Sequence, residues 1–387
     1  MIKQICQTQY SKDPQYMIDL FLAITSRSVN CPLAIEQIKS VSVFPEIVTE
    51  DNKSILYWDM QYWEFFDYFL LELSYFIENE NYKERFIQHI LALYYDYLSL
   101  KLVHIPELAY CIQVNRERKF GTPEKEAVNP EKFQVIGSNF ESGIFYSRFI
   151  VFFHEFFHFY YKLNPNKKVE DCSRLNKMAK YYGAGDIFFH QKSDMDDLLM
   201  EGVQALLYPQ DDKLLEETSC DYRALIETVS IWNELTNSMN KNFSAEFHKI
   251  HDSFHISQTF LSYLTNIFVC WEALYKAYIC SDSQEKVLKN IQPYFDKAAH
   301  MAIIRNSIIP DFLDKLNMKK YGIESYVNIL NKDYVKNTLQ NISDKIIDPN
   351  FMFYAIKEAK RLTQLPHYNP LELKDIVLSN AGYRVSE

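Results

Sequence analysis

The stretch that decides the fold is Val151–Tyr160, which reads VFFHEFFHFY. It forms the centre of an apolar run over 144–163 whose length predicts a buried helix ending at Asn164. The stretch contains the pattern H-E-x-x-H. Residues four apart lie on one face of a helix, so His154 and His158 can present both imidazoles to a single ion.

Glu155 gives this pattern its chemistry. It lies about 100° round the helix from His154, so it can reach a water held by a metal without being a ligand. Zinc lowers the pKa of its bound water to about 7, and a carboxylate can then take the proton. The pattern therefore predicts zinc-assisted hydrolysis with Glu155 as general base. The alternative interpretation is an aromatic core helix with a satisfied histidine pair.

A catalytic zinc ion also needs a third protein ligand and an open position. Glu217 and Asp221 lie four apart on one face of a helix predicted over 213–239. Glu217 can complete the ligand set, while Asp221 can accept a hydrogen bond from a ligand imidazole. A solvated helix start, where carboxylates favour the helix dipole, is the alternative for this pair. Glu216 lies one residue off the same face. The rival candidates for the third ligand are Glu201, Glu170, Asp171 and His190.

A group that stabilises the oxyanion of the transition state is expected as well. His248, His251 and His255 form one stripe on a helix predicted over 244–281. One of them could face the zinc across the cleft, or the stripe could hold a second metal, and His251 and His255 are the candidates for a catalytic role. A histidine stripe on a solvated helix is the alternative. Tyr222, next to Asp221, is a weaker candidate.

H-E-x-x-H followed by E-x-x-x-D on a later helix resembles the gluzincin zinc metallopeptidases, the group that includes thermolysin. It resembles more distantly the small cytosolic bacterial peptidases associated with phage exclusion. The resemblance implies a zincin-like core with the zinc ligands His154, His158 and Glu217. It also implies Glu155 as general base and general acid, and Asp221 as the carboxylate behind a ligand histidine.

The rest of the chain shows mainly helical patterns. Apolar residues at three- and four-residue spacing predict helices over 59–78 and 85–103. Leu108–Val114 (LAYCIQV) predicts a strand, and 132–136 predicts a second short strand. Either strand could pair with a substrate backbone. The charged segment 115–132, which contains glycine and proline, predicts a loop and a boundary.

Further helices are predicted over 194–207, 213–239, 244–281 and 284–305. The fold class is therefore predicted as mainly α with a small β element between two helical parts. We expect an N-terminal helical region at 1–105, a zincin-like metallopeptidase core at 106–240 and a C-terminal helical region at 241–387.

Composition excludes several other kinds of chemistry. The 387 residues include only 8 glycines, and no G-x-G-x-x-G, G-x-x-x-x-G-K-[ST] or G-x-S-x-G is present, so no phosphate-binding loop or serine nucleophile elbow is expected. A net charge of −10 argues against a nucleic-acid partner. The 7 cysteines form no C-x-x-C, which favours a reducing compartment. No secretory signal or membrane span is apparent, and a cytoplasmic location is expected.

These patterns together predict a Zn²⁺-dependent metallopeptidase that cuts a peptide bond in an intracellular protein. Its expected partners are a protein or peptide substrate and a regulatory protein that binds the helical flanks, with no membrane. The alternatives are a zinc hydrolase of a non-peptide bond, a pseudo-peptidase that binds without cutting, and a helical interaction module without metal.

Overall fold

A computed structural model describes residues 33–38, 46–50, 53–121, 138–184, 212–238, 242–280, 309–346 and 348–381, and scattered positions before residue 26 and between 283 and 289. Most of these residues are helical, and the three strands among them form one small sheet. The prediction of a mainly α chain with a small β element is confirmed.

The sheet precedes the first long helix. Its strands are β1 (Leu33–Ile38), β2 (Glu46–Glu50) and β3 (Lys53–Asp59), in the spatial order β1-β3-β2. The central strand β3 runs parallel to β1 and antiparallel to β2. Buried and partly buried residues alternate along β3, with Leu56 and Trp58 on the buried face, as the two-residue period of a strand requires. The β element therefore lies within the region that we predicted to be helical, and not between two helical parts.

Three helices follow the sheet: α1 (Met60–Glu78), α2 (Lys83–Lys101) and α3 (Pro106–Phe120). The first two confirm the predicted helix pair. The Asp59 side chain caps α1 by accepting a hydrogen bond from the Gln61 N–H at 2.9 Å.

The predicted strand Leu108–Val114 is wrong, because the segment lies inside α3. Pro106 begins this helix, where its missing N–H is not needed. Leu108, Ala109 and Ile112 are buried at helical spacing, and a continuous apolar run does not distinguish a buried helix from a strand. The predicted loop 115–132 is likewise helical as far as residue 120.

The central part of the chain contains α4 (Ser138–Leu163), α5 (Pro165–Ala184), α6 (Asp212–Ser238) and α7 (Phe243–Cys280). The predicted helices over 144–163, 213–239 and 244–281 are therefore confirmed, although α4 begins six residues earlier than expected. The sequence did not predict α5. No described helix combines the length and apolar character needed to cross a bilayer.

Four shorter helices complete the described chain: α8 (Ile309–Tyr321), α9 (Asp333–Ile346), α10 (Pro349–Leu362) and α11 (Pro370–Asn380). The predicted helix 194–207 and the predicted strand 132–136 lie outside the described residues. The predicted helix 284–305 also lies outside them, apart from isolated helical positions up to residue 289.

Helix α4 lies at the centre of the packing and contacts α6, α7, α1, α5 and β2. Phe152 of α4 packs against Trp58 of β3 and Trp63 of α1, with ring centroids 4.8 and 5.7 Å apart. One cluster of buried side chains includes residues from all three regions that we predicted from the sequence. The boundaries 1–105, 106–240 and 241–387 stay a prediction, but their cores are continuous.

Candidate metal centre

Two adjacent helices form the candidate site. α4 carries His154 and His158 one turn apart, and α6 carries Glu217 in its first turns. Trp232, further along α6, contacts a row of aromatic rings on α4 and holds the two helices side by side. Packing of the aromatic side chains of α4 against α6 therefore positions the polar side chains of the candidate site.

The three candidate ligand atoms form a nearly regular triangle. The Nε2 atoms of His154 and His158 lie 3.1 Å apart, and Glu217 Oε2 lies 3.3 Å from the first and 3.5 Å from the second. Tetrahedral zinc with bonds of 2.0–2.1 Å keeps its ligand atoms about 3.3–3.4 Å apart. Among the described residues, these side chains are the one group of His, Cys, Asp and Glu that could hold a metal ion. Two imidazoles and a carboxylate thus fit a tetrahedral metal in both spacing and chemistry.

Two of the three side chains are partly exposed. The His154 side chain is 7% exposed, whereas His158 is 21% and Glu217 is 18% exposed. Three protein ligands would leave one position of a tetrahedral metal for a water or substrate, as in catalytic sites. Glu155, the next residue of α4, is partly buried, and its negative charge acts on His154.

The electrostatic surroundings of His154 suit a cation. Burial alone would lower the pKa of this imidazole, but the Asp221 and Glu217 carboxylates raise it to about 10, with a smaller contribution from Glu155. Three carboxylates therefore act on this imidazole. The same negative charges would favour a divalent metal at its Nε2 atom.

Asp221 lies beside the outer nitrogen of His154, and its Oδ1 atom is 2.8 Å from His154 Nδ1. The hydrogen bond that we predicted between these two side chains stays a prediction. Gln258 of α7 donates a hydrogen bond from Nε2 to the same Oδ1 at 3.0 Å. Both Asp221 and Gln258 are buried. Helix α7 therefore fixes the carboxylate that faces the outer nitrogen of the first histidine.

Glu216 has the corresponding place behind His158. His158 Nδ1 lies 3.0 Å from Glu216 Oε1, and the other oxygen of Glu216 accepts a hydrogen bond from Lys168 Nζ of α5. Burial would raise the pKa of Glu216, but Lys168 and His158 outweigh it and lower the pKa. Each ligand histidine thus has a carboxylate at its outer nitrogen, and both carboxylates come from α6.

The two rivals to Glu217 that the structure describes, Glu170 and Asp171, do not belong to the group that could hold a metal. Glu170 is exposed and pairs with Lys167 at 2.6 Å. Asp171 is buried and accepts a hydrogen bond from the Tyr161 hydroxyl at 3.1 Å. Glu201 and His190 lie outside the described residues. Among the candidates that the structure describes, Glu217 alone completes the group.

The predicted catalytic histidines lie in a separate cluster. His251 Nδ1 and His255 Nε2 each contact one oxygen of Asp314 on α8, the latter at 2.8 Å. His248 Nε2 lies 3.2 Å from the Ser325 carbonyl oxygen. Neither His251 nor His255 joins the metal-binding group, and no second metal group exists among the described residues. Since both are buried, the alternative of a solvated stripe fails as well.

The sequence did not identify three side chains that support the site. Glu216 precedes Glu217, so the sequence pattern already pointed to this position. Its contact with His158 depends on how α6 packs on α4. Lys168 and Gln258 had no such signal. They come from helices whose position against α4 and α6 is not encoded in any short spacing. The weaker candidate Tyr222 is buried in the core.

Comparison with known proteins gives no match among family models, curated proteins or solved structures. The resemblance to gluzincins therefore stays a prediction from the motif residues. What the site can do is inferred from its own geometry.

Proposed function

We propose that this chain is a zinc-dependent metallopeptidase in which His154, His158 and Glu217 bind the ion and Glu155 is the general base. The observation that carries the proposal is the triangle of ligand atoms, with edges of 3.1, 3.3 and 3.5 Å. A helical interaction module without metal has no need for three converging ligand atoms. A set of three protein ligands argues for a catalytic metal, because structural zinc sites have four.

Zinc fits this donor set better than other biological metals. Imidazole nitrogens suit zinc, copper, iron and nickel, while magnesium and calcium prefer sites made of oxygen atoms. Two imidazoles with one glutamate in a tetrahedral arrangement are typical of zinc hydrolases. The carboxylates behind the two histidines would fix the ring orientation and make each imidazole a stronger donor.

The protein residues then have distinct roles in peptide hydrolysis. When bound, zinc supplies a Lewis acid that polarises the carbonyl and makes a water acidic. Glu155 accepts the proton of the attacking water and returns it to the amine that leaves. Asp221 and Glu216 keep His154 and His158 in the orientation in which both Nε2 atoms face the ion.

An edge strand that contacts α4 is compatible with a peptide substrate. β2 pairs with β3 on one side only, as far as the described residues show, and it also contacts α4. Extended peptides bind proteins by adding a strand to such an edge. We propose β2 for this role, in place of the two strands predicted after α2.

The test compares the purified, zinc-loaded chain with Glu155→Gln, a variant that keeps the shape of the side chain but cannot take a proton. Both are incubated with a peptide library prepared from a digested proteome, and new peptide termini are counted by mass spectrometry. We expect cleavage by the wild type and a loss of about 10²- to 10⁴-fold in the variant, the range typical of a missing general base. Absence of cleavage by the wild type, or equal cleavage by the variant, would overturn the proposal.

A further inference from the structure

Two adjacent glutamates of α6, Glu216 and Glu217, lie beside the same histidine, His158. Glu217 Oε2 lies 3.5 Å from His158 Nε2, on the metal side. Glu216 Oε1 lies 3.0 Å from His158 Nδ1, on the outer side. Both carboxylates are potential metal ligands, and the two residues are adjacent in the chain. Adjacent side chains of a helix point about 100° apart, and a contact on the outer side can hold Glu216 there.

Lys168 makes such a contact with Glu216. Its Nζ atom reaches from α5 and donates a charge-assisted hydrogen bond to Glu216 Oε2. With His158 on Oε1, both oxygens of Glu216 are then engaged. Glu216 does not belong to the group that could hold a metal, so the pair can act on that group through His158.

We propose that Lys168 is a positioning residue that holds Glu216 behind His158, so that Glu217 alone of the two adjacent glutamates binds the metal. The inference depends on the proposed zinc site and goes beyond it, because it assigns a role to a residue on a third helix. Removal of the Lys168 ammonium frees one oxygen of Glu216 and leaves its charge uncompensated. The carboxylate can then leave His158, whose ring loses its fixed orientation, or turn towards the ion.

Both consequences are measurable on the metal without any substrate. A loosened His158 raises the rate at which zinc is lost to a chelator. A second carboxylate at the ion raises its coordination number, which weakens the visible absorption bands of cobalt(II) put in place of zinc. The full-length chain is used throughout, and circular dichroism checks that each variant is folded.

The variants are Lys168→Met, Glu216→Gln, the double variant and Lys168→Arg. The matched control is Lys167→Met, which removes the neighbouring lysine of α5 that pairs with the exposed Glu170. We expect zinc release from Lys168→Met about 10-fold faster than from the wild type, in the range found for residues behind metal ligands. Cobalt absorption should weaken in the same variant. Lys168→Arg should restore most of both properties, because it keeps the charge and the donors.

The double variant tests whether Lys168 acts through Glu216. If it does, the double variant releases zinc no faster than Glu216→Gln alone. Additive effects, or a Lys168→Met variant that matches Lys167→Met in both measurements, would overturn the inference. A wild-type chain that binds no metal would overturn this inference and the proposed function together. A chain that binds zinc but cuts no peptide would overturn the peptidase proposal alone, because neither measurement uses peptide cleavage.

Discussion

The two histidines of the metal centre have different surroundings. His154 is buried, and its outer nitrogen faces Asp221, which a neutral amide of Gln258 fixes in the core. His158 is partly exposed, and its outer nitrogen faces Glu216. A carboxylate behind a ligand histidine raises the basicity of the ring and sets its orientation. Because His154 and Asp221 are both buried, solvent would not take the place of the Asp221 carboxylate if that side chain were removed.

Replacement of Asp221 by alanine should therefore weaken metal binding while all three ligands remain. We expect zinc affinity to fall by about 10- to 100-fold, the range found for residues behind metal ligands. The measurement is competition between the protein and a chromogenic chelator. Glu234→Ala is the matched control, since it removes an exposed carboxylate of the same helix. Equal affinities of the Asp221 variant and the control would contradict the role given to Asp221.

The sequence predicted the part of the site that depends on spacing within one helix. His154 with His158, and Glu217 with Asp221, are pairs four residues apart, and helix geometry alone brings each pair to one face. Glu216 and the cluster around His251 and His255 depend instead on how separate helices pack. No local pattern shows that Asp314 of α8 would engage both of those histidines.

At the scale of elements, the contact between α4 and α6 holds the ligands together. Trp232 of α6 packs against Phe145, Tyr146 and Phe149 of α4, with ring centroids 5.2–5.3 Å apart. Replacing Trp232 by alanine removes this contact and should lower the free energy of unfolding by about 3–5 kcal/mol. Chemical denaturation measures the loss. Trp232→Phe keeps an aromatic ring and should lower the free energy of unfolding by less. If Trp232→Ala lowers it by less than about 1 kcal/mol, well below the roughly 3 kcal/mol expected, this contact does not hold the two helices together.

The contact between α7 and α8 should make stability depend on pH. Burial lowers the pKa of His251 below its ordinary value of 6.5, even though Asp314 opposes this shift. The unfolded chain then binds a proton more readily than the folded chain, so stability is full above about pH 6.5 and falls as the pH drops. Asp314, whose pKa is also lowered, adds to this loss only below its ordinary value of 3.8.

The measurement is the free energy of unfolding at pH 7 and pH 5 for the wild type and His251→Phe. The variant keeps a ring that can stack on Phe247 but does not titrate. We expect a smaller loss of stability between the two pH values in the variant. The same loss in both proteins would show that His251 is not responsible.

Length and periodicity decided which elements could be predicted. The long helices α1, α2, α4, α6 and α7 repeat their apolar residues at helical spacing over many turns, and the sequence identified each of them. The sheet strands are five to seven residues long, too short for their alternation to stand out. The consecutive apolar residues of Leu108–Val114, inside α3, predict a strand, and only packing decides between a buried helix and a strand.

In the molecule as a whole, the candidate metal site joins helices that are far apart in sequence. Its candidate ligands come from α4 and α6, and the side chains that contact Glu216 and Asp221 come from α5 and α7. Any ion that binds only the folded chain stabilises it, by about 4 kcal/mol when free zinc is a thousandfold above its dissociation constant. Chelation should therefore lower the unfolding temperature of the wild type. It should leave His154→Ala unchanged, and an equal shift in both would show that the metal binds elsewhere.

The zinc content of the purified chain shows whether His154, His158 and Glu217 bind the ion. Elemental analysis is compared between the wild type, Glu155→Gln, His154→Ala and Glu217→Ala, each prepared in the same buffer. Because Glu155 is not a ligand, we expect about one zinc ion per chain in the wild type and in Glu155→Gln, and loss of the ion in the other two variants. A wild-type chain without zinc, or a full zinc content in His154→Ala, would contradict the account.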